Sequence, residues 1–398
     1  MKPPALLKFI KSKHRSKTKK WTVALGTGAI VTALLLLLIP AGQNLGALEI
    51  GSPVAPHRSV SAGTAAISQS PLLEALMKLR RGLGRDLSMK DTAAALSELQ
   101  DALHASPPGG AVTALLAMLD SGDDAKTGLV FRVGPGGDLL AAPTLRVWML
   151  DQLGRLDPNS AANYAAHIYA RHDSADEWAV ALRNDWRVAG PTGHLEGVRA
   201  RALELLADTE WAKQPSLGFL EALDVSVATM AWEAVPRFEQ WLDPAQPHAL
   251  RAGAWVALDR LTMEGPSDFL PTLVQHREWL ASQPLLRAGF IARADLSVER
   301  ERSAVETYLQ RDDVVKTEGR RFFELIPNVN STISHNLVTK LRMRSPSQAA
   351  RLDRVSLAAI REWYVQPRFS RWTIELAEAE SRLAESVASA IRGGLLPP

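Results

Sequence analysis

The 398-residue chain contains no cysteine. That absence excludes disulfides, zinc-thiolate and iron-sulfur sites, a cysteine nucleophile and a lipid anchor on cysteine. Acidic residues are missing from the first 48 positions, Glu49 being the first. No HExxH, GxSxG or DxDxDG arrangement occurs, so the usual metal, serine-hydrolase and calcium signatures are absent and no cofactor is expected. Disorder is excluded as well: 46% of residues are hydrophobic and 22% charged, enough apolar material for a large core.

The missing acids leave a basic leader. Lys2, Lys8, Lys11, Lys13, Arg15, Lys17, Lys19 and Lys20 come before any carboxylate, and without them 38 basic residues face 43 acidic ones. The formal charge of +3 is thus a basic tail on a slightly acidic body, and nucleic acid is not an expected partner. Trp21 to Ile39 is uncharged and ends at Pro40. Nineteen helical residues at about 1.5 Å each span roughly 28 Å, close to the hydrocarbon thickness of a bilayer. The expectation is a transmembrane helix over 21–40, with residues 1–20 cytoplasmic by the excess of Lys and Arg and the remainder across the membrane. A cleaved signal peptide, giving a secreted protein, is the competing reading. The anchor is preferred because both the basic segment and the apolar run are long for a signal, and Ile39-Pro40-Ala41 and Leu45-Gly46-Ala47 are poor cleavage sites. Ala24, Gly28 and Thr32 share one face at i, i+4 and i+8, which suits self-association through that helix.

Residues 41–69, rich in Gly, Ser, Ala and Pro, read as a flexible linker. From Ser70 the pattern is helix after helix, giving an all-α extracytoplasmic domain over 70–395. Ser70-Pro71 starts one helix, Ser88 the next, and Pro107-Pro108 separates a third, AVTALLAMLDSG. The exception is a small hairpin near 129–141, where Val130 to Val133 and Asp138 to Leu140 flank Gly134-Pro135-Gly136-Gly137.

A phrase recurs. LRAGAWVALDRL begins at Leu250 and LRAGFIARADLS at Leu286, while LRVWMLDQLGRL at Leu145 and VRARALELLADT at Val198 share the apolar-Arg opening. In the third copy Leu250, Gly253, Ala254, Ala257, Leu258 and Leu261 make one apolar stripe, with Arg251, Trp255 and Asp259 on another side. In the fourth, Arg293 stands where Ala257 predicts a core residue. The 36-residue interval suits a helical pair, and the intervals of 53 and 52 suit three helices each. These phrases over about 145–300 resemble the HEAT/armadillo class of α-solenoids, and the resemblance implies stacked helices with an extended binding surface. Irregular spacing is the departure, and an irregular multi-helical domain is the alternative.

Little chemistry stands out. His167 and His172, five residues apart, lie about 140° apart on a helix and are no metal pair by themselves. Glu380-Ser381 and Glu385-Ser386 invite comparison with the Glu-Ser motif of lytic transglycosylases, but the Gly-Leu-Met-Gln-like segment that should follow is missing. Between 316 and 371 eleven basic residues face four acidic ones. Arg320, Arg321, Lys340, Arg342, Arg344, Arg351 and Arg354 form the candidate interaction patch. The expectation is a membrane-anchored binding or scaffold protein engaging a protein partner or an envelope polymer without catalysis. The alternative is an envelope hydrolase with a carboxylate acid/base pair in a helical cleft.

Overall fold

Small polar side chains set several helix starts. The hydroxyl of Ser88 accepts the Asp91 amide at the head of α2 (Met89–Ala105), after α1 (Pro71–Gly82), which begins on a proline. Following α3 (Pro108–Asp120), Thr144 caps α4 (Leu145–Leu156), Asp157 caps α5 (Pro158–Arg171) and Ser174 caps α6 (Ala175–Ala189). The computed structural model describes residues 70–83, 87–330, 336–340 and 344–397. The basic tail 1–20, the membrane helix expected over 21–40, the linker expected over 41–69 and Arg342 lie outside the described residues. Among the described residues, no helix is long and apolar enough to cross a membrane.

The domain is all-α, as the periodicity predicts. Its sheet is a two-stranded antiparallel hairpin, β1 (Arg132–Val133) and β2 (Leu139–Ala141), around a short 3₁₀ turn. Gly136 and Gly137 both adopt a φ of 85°, the left-handed region open to glycine. The hairpin is tied down by arginines: Arg183 donates to the Gly137 carbonyl at 2.8 Å, Arg155 to the Leu139 carbonyl at 2.8 Å, and Arg187 to Asp138 at 2.6 Å.

The intervals between phrases resolve unevenly. Positions 145 to 198 hold three helices, α4 to α6, as the spacing suggests. Positions 198 to 250 hold five short ones instead: α7 (Glu196–Ala207), α8 (Thr209–Lys213), α9 (Leu217–Glu221), α10 (Leu223–Ala228) and α11 (Val235–Trp241). Ser216, Pro236 and turns near Gln214 and Met230 break the chain there, and Met230 itself has a φ of 51°. Next come α12 (His248–Glu264), α13 (Pro266–Gln275), α14 (Pro284–Ile291), α15 (Glu299–Gln310), α16 (Lys316–Leu325), α17 (Pro346–Tyr364) and α18 (Thr373–Arg392). The helix of the fourth phrase stops at Ile291, so its second half is not helical.

Some helices pack on their sequence neighbour and several on the next but one. α4 meets α5 and α6, α12 meets α10 and α11, α13 meets α15, α14 meets α16, and α16 meets α18. The apolar stripe of the third phrase is buried throughout, from Leu250 to Leu261.

The arginine of the phrase has a use that its exposed-looking position hides. Arg146 near the start of α4 forks onto Glu177 near the start of α6, at 2.9 and 3.1 Å. Arg287 on α14 repeats the geometry on Glu318 of α16, at 2.7 and 3.0 Å. Both pairs span 31 residues and both are buried. Burial opposes the charge of Arg146 and of Arg287, and the facing carboxylates override it, holding both guanidiniums above their ordinary value. Two of the four phrases thus carry a clamp between alternate helices, whereas Arg199 pairs with Glu233 and Arg251 donates to the Pro244 carbonyl.

Candidate functional site

The third and fourth phrases face each other across a cleft. On α12, Trp255 and Asp259 are one turn apart and lie off the apolar stripe. From α14 come Leu285, Leu286, Gly289 and Phe290, followed by Arg293 just beyond its end; α16 adds Arg321 and Leu325, and the segment after it adds Asn328 and Asn330. The cavity holds about 240 Å³. Asn328 fixes that wall, its amide bonding the Ala292 carbonyl at 2.7 Å and its side chain the Gly289 carbonyl at 3.0 Å.

Two rim residues are unusually exposed for their type. Of the tryptophans described, Trp255 alone is counted exposed, at 40%, whereas Trp178, Trp241, Trp363 and Trp372 are among the largest fully buried side chains. Leu285 is 54% exposed on the opposite wall. Aromatic and aliphatic surface left open beside a concavity has the character of a binding face.

The floor is polar. Arg293 occupies the core position that Ala257 predicts, but keeps its charge by pairing with Asp259 and donating to the Asn330 carbonyl. It is only 5% exposed, and its Nε has no hydrogen-bond partner among the described residues. A buried N–H of that kind costs about 1–3 kcal/mol until an acceptor reaches it.

The basic residues singled out from the sequence fall into separate groups. Arg320 and Arg321 share Glu324 on α16, at 3.2 and 3.3 Å, and Arg321 also lines the cleft. Arg344 and Arg351 lie together near Arg293: burial, then the charge of Arg293, pulls the Arg344 guanidinium below its ordinary value, with Asp295 and Glu301 opposing and Arg351 adding to the effect. Arg351 pairs with Asp295, and Arg354 turns away to the Pro397 carbonyl. Lys340 is exposed. Periodicity alone did not mark the cleft, although two of its signals were legible: Trp255 and Asp259 off the stripe, and Arg293 out of pattern.

Other candidates have structural partners. His172 lies 2.7 Å from Asp208 and stacks on Trp211 at 4.3 Å, while His167 stacks on Tyr164. Glu380 pairs with Arg361, and Glu375 with Lys316. Among the described residues, no group of three or more His, Asp or Glu side chains is placed to hold a metal ion.

A second polar centre went unnoticed in the sequence. Asp224 on α10 accepts Arg260 at 3.2 Å and the amides of Val338 and Thr339 at 2.7 Å each, pinning residues 336–340 to the helices. Nearby Glu221 has its carboxyl pushed up to about 7, first by burial and then by the Asp224 charge, against the pull of Arg260. No local signal joins residues more than a hundred positions apart.

Compared with known proteins, the chain matches no family model, no curated protein and no solved structure.

Proposed function

We propose that this is a membrane-anchored extracytoplasmic helical protein that binds or scaffolds a protein partner or an envelope polymer. Residues 21–40 hold it in the membrane, 1–20 stay in the cytoplasm, 41–69 act as a spacer, and the helical domain presents its recognition surface on the far side. The domain is read as α-solenoid-like, a reading supported by packing between alternate helices and by the Arg146–Glu177 and Arg287–Glu318 clamps at one spacing.

The observation that carries the binding role is the cleft between the two Leu-Arg-Ala-Gly phrases, with Trp255 and Leu285 open at its mouth and the guanidiniums of Arg293 and Arg321 in its lining. Tight folding does not call for that combination, whereas recognition uses it.

Site-specific photocrosslinking tests the proposal. Benzoylphenylalanine replacing Leu285 in the full chain should give a discrete adduct in cells, and the same probe at Val365, 78% exposed and outside the cleft lining, should not. No adduct from position 285, or one pattern from both positions, contradicts it.

A further inference from the structure

Resting on that reading, we propose that the cleft takes an apolar anchor residue of a partner polypeptide together with a carboxylate beside it. Size is the first argument. At about 240 Å³ the cavity is smaller than the roughly 300–1,000 Å³ of sites that engulf a drug-sized ligand. One large side chain fills it, with the rest of the partner lying outside.

The walls select the kind of side chain. Trp255, Leu285, Leu286, Phe290 and Leu325 offer apolar surface from three helices, and Gly289 leaves the floor open between them. The Asn328 side chain is engaged within the protein, donating to the Gly289 carbonyl and accepting the Asn330 amide. A sugar, which needs several free donors and acceptors, finds few here.

Charge selects the second group. Two guanidiniums, Arg293 and Arg321, and one carboxylate, Asp259, line the cavity. Asp259 already holds Arg293 at its Nη2, whereas the Nε of the same buried guanidinium is unsatisfied among the described residues. Arg321 has five N–H donors and spends one on Glu324 at a long 3.3 Å. A carboxylate entering the cavity meets the uncommitted donors of Arg321 with charge assistance, beside the paired guanidinium of Arg293. The site therefore reads an apolar residue flanked by an acid, or one that ends a chain and carries its own carboxylate.

Saturation-transfer NMR on the full-length protein in lipid nanodiscs tests this with three small probes: N-acetylphenylalanine, its amide, and tetra-N-acetylchitotetraose. The acid should bind saturably and about tenfold more tightly than the amide. Arg321→Met should remove that preference while sparing the amide. Gly289→Leu fills the cavity and should abolish both signals; Trp255→Ala, at an exposed position, is the second variant and should weaken both. Circular dichroism confirms that each variant is folded.

Equal binding of acid and amide overturns the proposal, as does binding that survives Gly289→Leu, or no saturation by the acid. Saturation by the sugar alone overturns it in favour of an envelope polymer. If the acid fails while the crosslink from position 285 persists, the ligand class falls and the recognition site stands; if both fail, both fall.

Discussion

Arg293 shows how a residue that spoils a pattern can mark a site. A repeat of Leu-Arg-Ala-Gly places a core side chain at this position, and a guanidinium there is tolerated only because Asp259, one phrase earlier, pairs with it. Glu221 follows the same logic with the opposite outcome for its charge. Burial beside Asp224 raises its carboxyl from 4.5 to about 7, so the folded protein keeps a proton that the unfolded chain gives up. Below pH 4.5 both states are protonated and the penalty is absent; as pH rises toward 7 the unfolded chain ionises first, and stability falls. Glu221→Gln should therefore stabilise the protein by about 2 kcal/mol at pH 8 and change little at pH 4, as read from urea midpoints at the two pH values. A variant equally stabilised at both pH values, or destabilised at pH 8, contradicts this. Neither residue's environment was legible in the sequence, because both depend on partners brought in by tertiary packing.

Helices of the first and third phrases were readable almost to the residue. LRVWMLDQLGRL is α4 from end to end, and the stripe from Leu250 to Leu261 is buried in α12. The fourth phrase matches only in its first half, and there Leu-Arg-Ala-Gly lies within an eight-residue helix. What the phrases share is the arginine, and periodicity does not reveal that in the first and fourth it crosses to the next helix but one. In α14, Arg287 forks onto Glu318, which also accepts the Tyr308 hydroxyl at 2.9 Å. Glu318→Ala leaves that guanidinium buried with its fork unanswered, and should cost about 3–5 kcal/mol in thermal or urea unfolding. The double replacement Arg287→Met with Glu318→Leu should recover most of the loss, because an apolar pair of similar size has no charge to desolvate. Loss of less than about 1 kcal/mol in the single variant would remove the clamp from the account.

At the scale of the molecule, composition and periodicity were enough to establish a helical domain with one hairpin, and the basic leader with its uncharged run supplies the proposed orientation. The cleft needed the structure, because its walls come from three separate helices, α12, α14 and α16, with lining residues spread from 255 to 330. Recognition in this cleft on the far side of the membrane is the central claim, and the absence of cysteine makes it directly measurable: one introduced thiol reports alone. Leu285→Cys and Val365→Cys, each in the full chain, are labelled with a membrane-impermeant maleimide in cells whose outer barrier has been opened. Position 365 should label as fast in cells as in the purified protein, and position 285 several-fold more slowly in cells than when purified, because a partner covers it. Equal rates for position 285 in both settings would contradict a partner in the cleft, and no labelling of either position in cells would contradict the extracytoplasmic location.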